Sequence, residues 1–131
     1  MKQRNAALKT GDISQAKAYD DILIDHGTKL NCLRKNLVLE VKKIYSDLVQ
    51  ILQQHNRRAR LFSGIDIHLK SGFNDQLGLE ESLSQSNSAD LKRKTTNQGP
   101  HKADIIFESK GLLIKDTFSR GEQKMLSIIW S

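Results

Sequence analysis

Ser119, Arg120, Gly121 and Glu122 stand where a short apolar run, Leu112-Leu113-Ile114, gives way to a second apolar segment containing Met125, Leu126, Ile128 and Ile129. That order predicts a strand, a tight turn and a helix. Ser119 placed three residues before Glu122 has the spacing of a capping box. In such a box the serine hydroxyl accepts from the backbone N–H three residues on, and the glutamate reaches back. The helix is then expected to begin at Arg120, with Ser119 as its N-cap. Gly121 in the first turn leaves room for another backbone or a ligand to come close. Free N–H groups, the positive end of the helix dipole and the Arg120 cation together suit a phosphate. Two readings remain open on these residues alone: an ordinary capped helix, or a phosphate-binding tip.

Other chemistry finds little support. A phosphate-cradling P-loop requires G-x-x-x-x-G-K-[ST], and no glycine here is followed by lysine. An apolar strand ending in acidic Mg²⁺ ligands is imitated by Leu112-Leu113-Ile114-Lys115-Asp116, but Lys115 breaks the pattern and a hairpin return strand explains the run better. The four histidines and the single cysteine, Cys32, form no recognisable zinc set. Cys32 cannot form an internal disulfide, which fits a reducing cytoplasm, and it reads as a small packing residue. Ile65, Ile67 and Leu69 alternate with Asp66, His68 and Lys70, predicting a half-buried strand with His68 on its polar side.

The elements that must carry the tip are mainly helical. Residues 1–9 read as a helix ending near Thr10-Gly11, and Asp12 or Ser14 can cap the next one, with Gln15 three residues after Asp12. From Tyr19 through Leu23, His26, Leu30, Leu33, Leu37, Val41, Ile44 and Leu48 to Ile51, steps of three and four average about 3.6 residues, the α-helical period. Leu23, Leu30, Leu37, Ile44 and Ile51 also repeat every seven, a possible coiled-coil seam. A helix over residues 15–54 is expected, with Gly27 as a point where it could bend. Lys29, Arg34, Lys35, Lys42 and Lys43 fall mainly off this stripe, towards solvent or a partner. A second helix from Leu77 towards Leu91 is expected to kink near Ser88, because Ser84-Gln85-Ser86-Asn87-Ser88 is poor helix material. Gly99-Pro100-His101-Lys102 then leads into a strand (Ile105 to Phe107), and Ser109-Lys110-Gly111 turns it back.

Composition sets the outer limits. The 131 residues suffice for one domain with a real core, at 37% hydrophobic and 27% charged. No run approaches a membrane span and the N-terminus has no secretory apolar stretch. The formal charge of +6 is unevenly placed, with twelve basic against six acidic residues in 1–60 and nine against nine thereafter. Clustered positive charge suits a polyanion, and nucleic acid is the usual one. Arg57, Arg58 and Arg60 end the long helix, and Lys92, Arg93 and Lys94 end the shorter one. Each group either complements a helix C-terminus or contacts a DNA backbone.

Phe118-Ser119-Arg120-Gly121-Glu122 resembles the signature motif of ABC-type ATPases, usually an apolar residue, Ser, Gly, Gly, then Gln or Glu. Arg120 in place of the first Gly, with Gln123-Lys124 following, resembles the RecF branch of the SMC-like ATPases. Gly99-Pro100-His101-Lys102-Ala103-Asp104 is similar to the GPH-basic-x-D block of that family, and Lys2-Gln3-Arg4-Asn5-Ala6-Ala7-Leu8-Lys9 to its QRNxxLK segment. The resemblance implies an α+β chain: a helical arm over 1–60, and over 61–131 part of an ATPase head with a β-hairpin and signature helix. It implies that P-loop and Walker B elements lie outside this stretch, so the chain is expected to be a piece of a longer protein, without enzymatic activity of its own.

The resemblance also implies ATP as ligand, bound in the complete dimer across subunits through Ser119, Arg120, Gly121, Glu122 and Gln123. Mg²⁺ would come with the nucleotide, no residue of this chain serving as its ligand. Gly99, Pro100, His101, Lys102 and Asp104 would lie near nucleotide or DNA. DNA, RecO and RecR are the implied partners, in recombinational repair in the cytoplasm. A stand-alone basic DNA-binding helical module and a non-catalytic coiled-coil adaptor are the competing expectations.

Overall fold

Helix-period patterning over most of the chain gives a mostly helical structure with one small sheet. The computed structural model describes residues 1–130. Helix α1 (Lys2–Thr10) stops at Gly11, whose positive φ of 76° suits glycine and whose N–H donates to the Ala7 carbonyl. The Asp12 carboxylate then accepts from the Gln15 N–H at 2.9 Å, capping α2 (Ile13–His55). Asn56 caps a 3₁₀ turn (Arg57–Ala59), followed by α3 (Arg60–Ser63) and strand β1 (Ile65–Lys70). Helix α4 (Gly78–Arg93) and a 3₁₀ turn (Pro100–Lys102) precede β2 (Asp104–Ser109) and β3 (Leu112–Leu113). Two helices close the described chain, α5 (Ile114–Thr117) and α6 (Arg120–Trp130). The sheet order is β1-β2-β3, and β2 meets β3 antiparallel with Glu108 opposite Leu113 and Ser109 opposite Leu112. Among the described residues, no helix is long and apolar enough to cross a membrane.

The chain forms two compact units, crossing between them near residues 34, 69 and 104. The first comprises residues 1–34 and 70–104. Its centre is ionic: the Arg4 guanidinium, 2% exposed, donates to Asp90, Thr96 and Asp20. Asp90 is fully buried and takes further hydrogen bonds from Ser86 and from the backbone and side chain of Asn97. Burial alone would lower the Arg4 pKa, but the hydrogen bonds from its guanidinium to Asp20 and Asp90 hold it above its ordinary value. Ala7, Leu8 and Ala16 form a small buried apolar cluster in the same unit, with Leu91 packed against it.

The second unit comprises residues 35–69 and 105 onward. Its core is apolar. Val38, Tyr45 and Val49 of α2 meet Phe62, Ile65 and Ile67, and Ile114 and Leu126 complete the cluster. The alternation in β1 puts Ile65 and Ile67 inside and Asp66 outside. Asp66 accepts a 2.6 Å ion pair from Lys42, and His68 lies 3.4 Å from the same carboxylate. The Lys42 bond, aided by His68, draws the Asp66 pKa down.

Five expectations change. The expected α2 stripe is mostly exposed, with Leu37 at 59% and Ile44 at 66%. The inward set, buried Asn31, Val38 and Tyr45 with half-buried Leu52, keeps the seven-residue spacing but lies one residue later, a rotation of about 100° around the helix. That rotation gives Arg34 and Lys42 internal partners, Arg34 donating to the Pro100 carbonyl at 2.8 Å.

Helix α2 runs unbroken through Gly27, where a Cβ would lie 2.5 Å from Leu79 and 2.9 Å from the Pro100 ring. Close approach is the reason for that glycine, and no bend results. Helix α4 is continuous through its serines, and Ser82 and Ser86 turn their hydroxyls back onto the Gly78 and Leu83 carbonyls of the preceding turn. Strand β3 has only two residues, and Ile114 opens the one-turn α5, so strand and signature helix are joined by another helix. Cys32 is exposed and is not a packing residue.

Candidate functional site

The hairpin that leads to the signature turns through Lys110 and Gly111, both at positive φ. A two-residue turn of that kind matches the twist of antiparallel strands. After α5, Phe118 is extended, and its ring meets Phe62 edge-on with centroids 6.2 Å apart. At the other end of α6, Trp130 meets Phe107 edge-on at 4.8 Å, and Leu126 is buried between these two anchors. One aromatic pair holds the chain just ahead of α6 and the other holds its end, and Ser119 to Gly121 stay exposed.

That tip is the capping box expected from the spacing. The Ser119 Oγ accepts from the Glu122 N–H, and the Ser119 N–H donates to the Glu122 carboxylate, each at 3.3 Å. Ser119, Arg120 and Gly121 are exposed, and nothing lies within 4 Å of the point where a Cβ on Gly121 would sit. The Ser119 hydroxyl still has its proton to donate outward. Gln123 has another task. Its side-chain amide donates to the Phe118 carbonyl at 2.9 Å and to the Lys115 carbonyl at 3.3 Å, holding the loop in shape.

A groove of about 730 Å³ runs beside this tip, bounded by Phe118 and Glu122 of the signature. It brings in Arg57, Arg58 and Arg60 from the turn after α2, together with Lys110 from the hairpin. Sequence spacing alone could not unite these residues. In the sequence Lys110 reads only as a turn residue; its place beside the three arginines depends on the fold. Lys92, Arg93 and Lys94 lie in the other unit at the end of α4, where Lys94 takes the left-handed conformation and Arg93 donates to Asn97 at 3.3 Å.

Gly99 to Lys102 form a packed turn. Gly99 has a φ of 144° and its N–H donates to the Gly72 carbonyl at 2.9 Å. Pro100 is buried and Nε2–H of His101 donates to the Thr96 carbonyl at 3.1 Å. Desolvation lowers the His101 pKa despite that bond. Lys102 and Asp104 are exposed. Thr96 also donates through N–H and hydroxyl to the Asn5 side-chain oxygen, at 2.9 and 2.7 Å. The Arg4-Asn5 pair and the Gly99-Pro100-His101 turn are thus tied through one threonine. Among the described residues, no group of three or more His, Cys, Asp or Glu is placed to hold a metal ion.

No family model matches the chain. Comparison with curated proteins is more informative. The chain is 33% identical over 128 residues to the DNA replication and repair protein RecF of Coxiella burnetii (strain CbuG_Q212), covering 97% of this chain and 34% of the relative. It is 38% identical over 128 residues to the protein of the same name from Francisella tularensis subsp. tularensis (strain WY96-3418), covering 96% and 34%. This chain is homologous to RecF. It spans about a third of the length of the RecF proteins it matches. The likeness read from three short blocks therefore extends over nearly every residue. Within it, the first two RecF-like blocks share the first unit and the signature stands in the second.

Proposed function

We propose that this chain is the arm and signature-bearing part of a RecF-type protein of DNA replication and repair. Residues of α2 supply the helical arm, and the sheet with α6 supplies part of the ATPase head. In the complete protein two subunits close over ATP, and the signature of one caps a nucleotide held by the P-loop of the other. Ser119 donates to the γ-phosphate, the Gly121 amide approaches it, and Arg120 adds positive charge. Glu122 keeps Ser119 oriented, and Gln123 braces the loop. This is electrostatic positioning without proton transfer. DNA, RecO and RecR are the partners of that complete protein, and Mg²⁺ accompanies the nucleotide on the P-loop side.

The observation that carries this reading is the reciprocally capped, unobstructed tip at Ser119 to Gly121. The test is to mix the 131-residue chain with a P-loop-bearing RecF relative and follow association by sedimentation, with and without a non-hydrolysable ATP analogue. Association should require the nucleotide and weaken about tenfold in Ser119→Ala, the cost of one charge-assisted hydrogen bond. The chain alone should show no ATP turnover. Nucleotide-independent association, or turnover lost on replacing Ser119, would overturn the proposal.

A further inference from the structure

The second unit leaves one apolar face of its long helix uncovered. Leu37, Ile44 and Ile51 repeat every seven residues along α2, with Leu48 between the last two, and their exposure runs from 37% at Leu48 to 66% at Ile44. A seven-residue repeat of large aliphatic side chains is the pattern that another helix covers by knobs-into-holes packing. Glu40 lies three residues after Leu37, and Asp47 three after Ile44, so both edge the stripe, and both are exposed. Among the described residues neither carboxylate has an ion-pair partner.

Size and charge decide what belongs there. From Leu37 to Ile51 the stripe is about 21 Å long at 1.5 Å per residue and about 10 Å wide, so a helix laid on it covers on the order of 200 Å². A free-standing complex buries about 800 Å² on each partner. A helix on so small a stripe must be held nearby by other means, and a covalent tether does this by supplying an effective concentration near millimolar. The chain spans about a third of the length of its RecF relatives, so the remaining length can supply the tethered helix. A second copy of this chain is the wrong occupant: it would bring its own Glu40 and Asp47 to the seam, and like charges oppose pairing. We propose that a basic amphipathic helix from the part of the RecF-type polypeptide outside these 131 residues packs on Leu37, Ile44, Leu48 and Ile51, with Lys or Arg beside Glu40 and Asp47. The proposal rests on the RecF-type reading above, but it does not use the ATP contact.

The test is titration of the whole chain, followed by NMR of its backbone amides, with overlapping synthetic peptides that tile the Coxiella burnetii RecF outside the matched 128 residues. A basic amphipathic peptide should bind at about millimolar affinity, gain helical circular dichroism and shift the amides of residues 37–51. Leu37→Gln/Ile44→Gln, at positions already in water, should weaken that binding about tenfold without unfolding the chain. Glu40→Lys/Asp47→Lys should weaken it about threefold at low salt, and the difference should fade as salt is raised. Unchanged affinity in both variants would overturn the proposal. Ser119→Ala should leave peptide binding intact. Nucleotide-dependent association through Ser119 with no RecF peptide bound would sink this inference and leave the signature reading standing; peptide binding without that association would support this inference and count against the signature reading. A designed Leu/Lys helix that binds while no RecF peptide does would place the occupant in a separate protein, and self-association lost in Ile44→Gln would make it a second copy. Either result overturns the proposal.

Discussion

Arg4 and the trio Arg57, Arg58 and Arg60 are the same residue type in opposite settings. Arg4 is buried, and its donors are spent on Asp20, Asp90 and Thr96. The trio is exposed, and among the described residues no charged end of it meets a partner. A buried cation must be compensated on the spot, because removing it from water costs several kcal/mol. An exposed cation has no such need and stays available for an anion brought by something else. A basic residue inside a family block can thus serve the fold, whereas one outside the blocks can serve a ligand.

The largest effect should come from removing the compensation at Asp90. Arg4→Met keeps much of the volume but leaves the Asp90 carboxylate buried without its cation. Urea denaturation should show a loss of about 3–5 kcal/mol. The triple Arg57→Gln/Arg58→Gln/Arg60→Gln variant should stay within about 0.5 kcal/mol of the parent. Equal losses in the two variants would mean that the surface arginines also support the fold.

Local features were the legible part of this chain. The Gly11 stop, the Asp12 cap, the Ser119–Glu122 box and the alternation in β1 each depend on residues close in sequence, where one short-range interaction dominates. Long-range choices were not legible. Two adjacent α2 faces each carry residues every seven positions, and periodicity cannot say which faces inward. Arg34 and Lys42 settle the choice only once Pro100 and Asp66 are in place to receive them. Gly27 looked like a weakness for the same reason: its benefit lies in Leu79 and Pro100, more than fifty residues away in sequence. The Arg4–Asp90 pair, 86 residues apart, carries no sequence signal that spacing could expose. The groove beside the signature depends on the hairpin and the turn after α2 meeting in space, so its four cations read only as separate fragments.

The second unit offers a milder contrast with the ionic centre of the first. Its main buried polar group is the Tyr45 hydroxyl, which donates to the Phe62 carbonyl at 3.1 Å. Desolvation pushes its pKa up to about 12. The folded chain therefore keeps this proton at pH values where the unfolded chain, with an ordinary tyrosine pKa near 10, has lost it. The stabilisation is intact below about pH 10 and is lost as pH rises towards 12. Denaturation followed across that range should show a decline of about 2 kcal/mol attributable to this residue. Tyr45→Phe should remove that part of the alkaline decline. A decline of unchanged size in Tyr45→Phe would assign it to another group.

The smallest effect belongs to the neighbour of that tyrosine. Ile44 is 66% exposed where Tyr45 is 7% exposed, although both sit on seven-residue repeats. Truncating a side chain already in water removes little buried area, so Ile44→Ala should change stability by no more than about 0.5 kcal/mol. Measured at several protein concentrations, that small value should hold throughout. A loss that grew as the protein was concentrated would mean that the 30-37-44-51 face is covered by a second chain in solution. The seam would then be an interface, and the buried 31-38-45-52 face would be only half of what this helix contributes.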